Sequence, residues 1–258
     1  MKKYDLIILG IPKTGTTSIF SMLSKHPEIC PSKVKEPMSP MVPEITTHSY
    51  FKDYFLNINE NTKVLLDGTP NLFNVRIKQE KLTEILKQKW VNKLKIIYTL
   101  RNPMHRMISQ MNSMKRGTWQ VPKSIVGFNE WFDKDKVKEK EVLQKISTSF
   151  LDSYRLNQAK DFTEHICVTK LSDFDVHSTL NFLGVRDMDL KLDHLTKANY
   201  GKLKNLNLNI DSFVNKNRDY LKEVFIADMN KIQRDFEIDL TDIINELQEE
   251  TYSVINQL

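Results

Sequence analysis

Residues 4–25, "YDLIILGIPKTGTTSIFSMLSK", decide how the chain must fold. The opening "YDLIIL" (4–9) is a short, nearly continuous apolar run, the signature of a strand covered on both faces in a parallel sheet. From Thr16 onward, "TTSIFSMLSKH" places Ile19, Phe20, Met22 and Leu23 at helical spacing. Strand and helix are joined by "GIPKTGTT" (10–17), a turn bounded by glycines and rich in hydroxyls. Such a turn aims backbone N–H groups and the positive end of a helix dipole at one point, and that point binds an oxyanion. Thr14, Thr16 and Thr17 add hydroxyl donors, Lys13 adds a full charge, and Pro12 stiffens the turn.

The position of the lysine sets this loop apart. In the Walker A pattern G-x-x-x-x-G-K-[ST] the lysine follows the second glycine. Here Thr16 follows Gly15, and Lys13 stands two residues before that glycine. The competing reading is a tight strand-to-helix turn with threonines by chance. It requires glycine, lysine and three threonines to coincide directly behind a buried strand.

Outward from this unit, "KVLLD" (63–67), "KIIYTL" (95–100) and "HICVTK" (165–170) repeat the short apolar form. Helical patterns lie between them: "KQEKLTEILKQKW" (78–90), "PMHRMISQMNSMKRG" (103–117) and "LDSYRLNQAKDF" (151–162). This alternation predicts one α/β domain over residues 1–258, with a central, mostly parallel, doubly wound sheet flanked by helices. Ligands of such sheets sit at the carboxyl ends of the strands. Residues from about 208 to 258 carry apolar side chains at helical spacing and read as helices packed on the sheet. The charge-rich "EWFDKDKVKEKEVLQKI" (130–146) reads as a solvated helix or an excursion from the sheet.

Composition narrows the function classes. The 258 residues are 40% hydrophobic and 28% charged, which is globular usage and far from that of disordered chains. A net charge of +5 suits an anionic ligand but lacks the concentrated basic stripe of a nucleic-acid binder. Cys30 and Cys167 are the only cysteines, so neither a disulfide framework nor a cysteine zinc set is present. No run approaches the roughly 18 apolar residues of a membrane span, and the expectation is a soluble, cytoplasmic protein. A Golgi setting would require an N-terminal anchor ahead of this sequence.

A second motif joins the loop. "LRNPMHRMISQM" (100–111) has arginine at a strand end, Pro103 two residues later and Ser109 eight residues later. An arginine there offers a planar fork to a phosphate, and a serine on the following helix adds a hydroxyl bond. Together the two motifs resemble the 5′-phosphosulfate loop and 3′-phosphate motif of the sulfotransferase family, which uses 3′-phosphoadenosine 5′-phosphosulfate (PAPS). The resemblance covers most of the chain. "KEPMSP" (35–40) and "LLDGTPNLF" (65–73) are similar to segments of glycan O-sulfotransferases. "HICVTKLSDF" (165–174) with "STLNFLGV" (178–185), "KANYGKLKN" (197–205) and "NRDYLKEVFIADMNKIQRDFEID" (217–239) are similar to the family's late strand, cofactor-closing loop and last helix. Gly68 is a departure, standing where those enzymes often carry a lysine before Thr-Pro.

The resemblance implies a P-loop nucleotide-hydrolase-like sulfotransferase fold. It also implies metal-free, in-line transfer of a sulfuryl group from PAPS to a hydroxyl acceptor, a carbohydrate or small molecule. Lys13 then stabilises the leaving 5′-phosphate, and the N–H groups of Lys13, Thr14, Gly15, Thr16 and Thr17 cradle phosphate and sulfate. Arg101 and Ser109 hold the 3′-phosphate, and Lys202 and Lys204 are late-loop cofactor candidates. Glu36 of "KEP" matches the family's catalytic glutamate; the competing reading is a loop glutamate paired with Lys33 or Lys35. A carboxylate of ordinary basicity is a weak base toward an alcohol, so the role demands positioning or a raised pKa. His48 and His105 are alternative bases. Asp67 and Thr69 are candidates for orienting the acceptor, and Trp119, Tyr50 and Phe51 for lining its pocket. Two other classes compete: a P-loop kinase or ATPase, which the missing Gly-Lys-Ser/Thr order disfavours, and a non-catalytic adenosine-bisphosphate binder.

Overall fold

The computed structural model describes residues 2–38, 47–70, 76–115, 150–192 and 214–249, with backbone alone at 47–49, 76–78 and 111–115. The chain forms two compact units, Met1–Leu100 with Arg155–Thr196, and Arg101–Tyr154 with Lys197–Leu258.

The first unit holds the sheet. Its strands are β1 (Tyr4–Gly10), β2 (Ile29–Pro31), β3 (Val64–Asp67), β4 (Val91–Leu100) and β5 (Ile166–Lys170). They are ordered β2-β3-β1-β4-β5, and every neighbouring pair is parallel. Leu6, Ile7, Ile8 and Leu9 are essentially inaccessible, as a central strand covered on both faces requires. Helix α1 (Thr16–Leu23) lays Ile19, Met22 and Leu23 on Ile7, Leu9 and Leu66, and Leu180 and Leu183 from later in the chain join the same core. Helices α2 (Thr47–Tyr54) and α3 (Arg76–Leu86), and later α6 (Val176–Leu183), belong to this unit. Connections from β1 and β4 leave toward opposite edges of the sheet, so the strand order reverses at this adjacent pair. Their carboxyl ends form the topological switch point at which open α/β sheets bind ligands. β1 ends at Gly10 in register with Tyr98, so the loop after β1 opens beside the last residues of β4.

Helix α6 shows how local rules fix the ends. Asp175 caps it, its Oδ1 accepting from the His177 N–H at 3.0 Å. At the far end Gly184 takes a left-handed φ of 72°, and the Val185 N–H reaches back to the Leu180 carbonyl, closing a Schellman turn. Buried Lys95 donates to the Phe182 and Leu183 carbonyls at 2.9 and 2.8 Å and pairs with Asp5 at 3.0 Å. A cation on a helix's last carbonyls is favoured by the dipole.

The second unit is helical. It contains α4 (Pro103–Lys115), the start of α5 (Asp152–Lys160), α7 (Arg218–Phe236) and α8 (Thr241–Glu249). Arg106 is fully buried and pairs with Asp152 at 2.8 Å. Asp228 of α7 accepts from the Asp152 N–H at 2.7 Å and from the Ser153 hydroxyl at 2.5 Å, tying down the first turn of α5. Burial, with the nearby Asp152 charge, raises the Asp228 carboxyl to about 6.

Candidate functional site

The loop after β1 has the backbone of an anion cradle. Lys13 has a φ of 67° and Gly15 a φ of 78°, both left-handed. Alternation of hand along a short turn makes successive N–H groups converge. Gly15 is the N-cap of α1, with no side-chain cap and no acidic residue in the helix's first turn. An N-terminus left without a carboxylate of its own favours an anion from outside. A Cβ on Gly15 would fall 2.6 Å from the Leu171 Cδ1, so close packing as well as backbone hand requires glycine.

The three threonines divide their work. Thr14 is fully buried; its hydroxyl donates to the Ile11 carbonyl at 2.9 Å and accepts from the Thr99 hydroxyl at 2.7 Å. Thr99 thus stitches β4 to the loop, and the Thr14 hydroxyl serves the loop's own shape. Thr16 is buried within the first turn of α1, and Thr17 is exposed beside it. Lys13 is half-buried.

The "KEP" turn lies against the end of β3. Lys35 and Glu36 form an ion pair at 2.9 Å, which is the pairing that the competing reading of Glu36 named. The Gly68 N–H donates to the Lys35 carbonyl at 2.8 Å, and the Met38 N–H to the Thr69 hydroxyl at 3.2 Å. Asp67 holds this junction from beneath. It is fully buried, its Oδ2 accepting from the Tyr50 hydroxyl at 2.6 Å and its Oδ1 from the Thr69 N–H at 2.7 Å. Burial raises its carboxyl to about 6; the bonds from Thr69 and Tyr50 oppose this, and the Glu36 charge adds to it. Asp67 and Thr69 are both fully buried, and the bonds of Thr69 to Asp67 and Met38 tie the end of β3 to the turn that carries Glu36. Tyr50 is likewise core, edge-on to Phe55 at 5.4 Å, while Phe51 stacks on Trp90 at 4.5 Å.

In the second unit, Arg101 follows β4 directly and is half-buried; burial lowers its pKa, and the Glu246 charge opposes that. Asn102 caps α4, its Oδ1 accepting from the Met104 N–H at 3.0 Å and the His105 N–H at 3.3 Å, and Pro103 opens the helix. Ser109 is half-buried on α4. His105 contacts Glu246 of α8 at 3.4 Å. Lys202, Lys204 and Trp119 lie outside the described residues, and His48 is described by its backbone in α2 alone. Among the described residues no cluster of three or more metal-ligating side chains occurs, and no helix is long and apolar enough to cross a membrane.

The sequence reading left out Lys35 as a site residue. Its place in "KEP", next to a candidate base and 33 residues before Gly68, was the available signal.

An open parallel sheet with an anion-shaped loop at its switch point defines an α/β phosphate-loop protein. The sulfotransferase domain profile matches residues 3–171, more than half of the 258-residue chain, and the chain belongs to the sulfotransferase family. Among solved structures, a sulfotransferase from Alicyclobacillus acidocaldarius superposes with a TM-score of 0.59 at 19% identity, covering 94% of this chain and 99% of its own. That likeness confirms the fold. A mouse sulfotransferase, SULT7A1, complexed with PAP, aligns with a TM-score of 0.49 at 16% identity, covering 96% of this chain and 89% of its own. No curated protein matches the chain.

Proposed function

We propose that the protein transfers a sulfuryl group from PAPS to a hydroxyl acceptor, a carbohydrate or small molecule. The observation that carries this reading is the loop of residues 10–17, in which left-handed Lys13 and Gly15 shape a cradle ahead of an uncapped helix. When bound, PAPS would supply the activated sulfuryl group with adenosine 3′,5′-bisphosphate as its leaving group.

The chain's own residues would do the rest. The loop N–H groups hold the 5′ end, and Lys13 meets the charge that grows on the leaving oxygen. Arg101 and Ser109 hold the 3′-phosphate, Arg101 with its planar fork. Lys202 and Lys204 are the late-loop candidates on the cofactor. Glu36 takes the acceptor's proton, held in place by Lys35 and by the turn that Asp67 and Thr69 stabilise. The nucleoside-triphosphate reading has less support, because the Gly-Lys-Ser/Thr order is missing and Asp67, at the end of the neighbouring strand, is bound by Tyr50 and Thr69.

Thermal shift tests the proposal. Adenosine 3′,5′-bisphosphate in EDTA should raise Tm more than ATP with magnesium does. Strong stabilisation by ATP with magnesium, and none by the bisphosphate, would refute it. For the base, Glu36→Gln should bind bisphosphate like the parent and lose turnover; an active variant moves the base elsewhere.

A further inference from the structure

Lys35 holds together three pieces of chain in the first unit. Its ammonium lies 2.9 Å from the Glu36 Oε1, 3.3 Å from the Gly68 carbonyl and 3.4 Å from the Thr16 hydroxyl. At its other end the Lys35 carbonyl accepts from the Gly68 N–H at 2.8 Å, so this residue grips Gly68 by both backbone and side chain. The path exists only because position 68 has no side chain. A Cβ there would stand 2.8 Å from the Lys35 Cγ, 2.8 Å from its carbonyl oxygen and 2.9 Å from the Phe20 Cδ2.

Donor and acceptor chemistry gives the arrangement a direction. An ammonium has three N–H donors and no acceptor, and each of its three neighbours presents an oxygen. Thr16 therefore receives a bond from Lys35 on its oxygen and must send its own O–H elsewhere. Thr16 stands in the first turn of α1, where the uncapped amides converge. A hydroxyl that accepts from a cation is polarised and becomes the stronger donor.

We propose that Lys35 is a positioning residue that fixes the Thr16 hydroxyl as a donor into the anion cradle and, through the same ammonium, holds the Glu36 carboxylate. It links the donor side of the site to the acceptor side, a task separate from that of Lys13. The inference rests on the reading of the loop as the phosphosulfate site.

The test is a double-mutant cycle on the full chain, read by calorimetric binding of adenosine 3′,5′-bisphosphate. Thr16→Val should weaken binding about tenfold in the parent and less than about twofold in a Lys35→Met background, because the orienting bond is already gone. A merely structural Lys35 would lower Tm and leave the two losses additive; additive losses overturn the proposal. Gly68→Ala reaches the same contact by another route, keeping every charge while displacing the Lys35 side chain. It too should abolish the Thr16→Val effect, and an unchanged effect in that background overturns the proposal even where Lys35→Met does not fold. Where turnover can be followed, Glu36→Gln should lower kcat less in the Lys35→Met background than in the parent. A parent protein that does not bind bisphosphate overturns the loop reading and this inference together. Binding with additive losses overturns the Lys35 role alone.

Discussion

Replacement of Asp67 by asparagine gives the sharpest physical test of the junction beneath "KEP". Asp67 is fully buried, and its carboxyl is raised from 3.8 to about 6, chiefly by loss of solvent. The folded protein therefore holds this proton more tightly than the unfolded chain does. Stability from this group is fully present below about pH 4 and is lost as pH rises through about 6. At about 1.4 kcal/mol per pH unit, the displacement amounts to about 3 kcal/mol. Asparagine resembles the protonated carboxyl and does not titrate. The stability difference between Asp67→Asn and the parent should thus move in favour of the variant by about 2.4 kcal/mol between pH 4 and pH 7, the remainder being lost below pH 4. Urea unfolding of both proteins at several pH values measures it. Asp228, also raised to about 6, is common to both and cancels in the difference. A difference that stays constant to within about 0.5 kcal/mol across this range would refute the reasoning.

The loop and the phosphate motif yield three more expectations. Lys13→Gly removes a side chain from a left-handed position, so the fold should be unchanged or stabilised by up to about 1 kcal/mol in thermal unfolding, while transfer is abolished. Gly15→Ala should cost about 1–3 kcal/mol in the same assay, because φ is 78° and the new Cβ meets Leu171 at 2.6 Å; an unchanged Tm would contradict the loop geometry. Arg101→Ala should weaken bisphosphate binding by about 2 kcal/mol or more in calorimetry, and unchanged affinity would remove Arg101 from the 3′-phosphate.

How much was legible in the sequence depended on whether a signal was local. Apolar runs marked β1, β3, β4 and β5, since a buried parallel strand needs little beyond its own composition. The three residues Ile29–Pro31 of β2 escaped, because an edge strand so short, ending in proline, has no periodicity to read. β4 begins at Val91, four residues ahead of its apolar run, with exposed Asn92 and Lys93 in its first turns of pleat. The loop glycines and Lys13 were visible because strand, turn and helix are contiguous. The partners of the side chains were not. Nothing local says that the Thr14 hydroxyl turns inward to Ile11 and Thr99, or that Asp67 is sealed under Tyr50 and Thr69. Those contacts join residues as far as 85 positions apart. Lys35 is the clearest case: its neighbour Glu36 was read from the motif, whereas its bonds to Thr16 and Gly68 exist only once β3 lies beside β1.

The central claim is that the protein recognises a nucleotide carrying both a 5′ and a 3′ anion. Calorimetric titration in EDTA with adenosine 3′,5′-bisphosphate and with adenosine 5′-monophosphate tests it most directly. The bisphosphate should bind without metal, at least about tenfold tighter than the monophosphate, the difference expected for a charge-assisted phosphate contact. Equal affinity for the two, or binding only of ATP with magnesium, would contradict it.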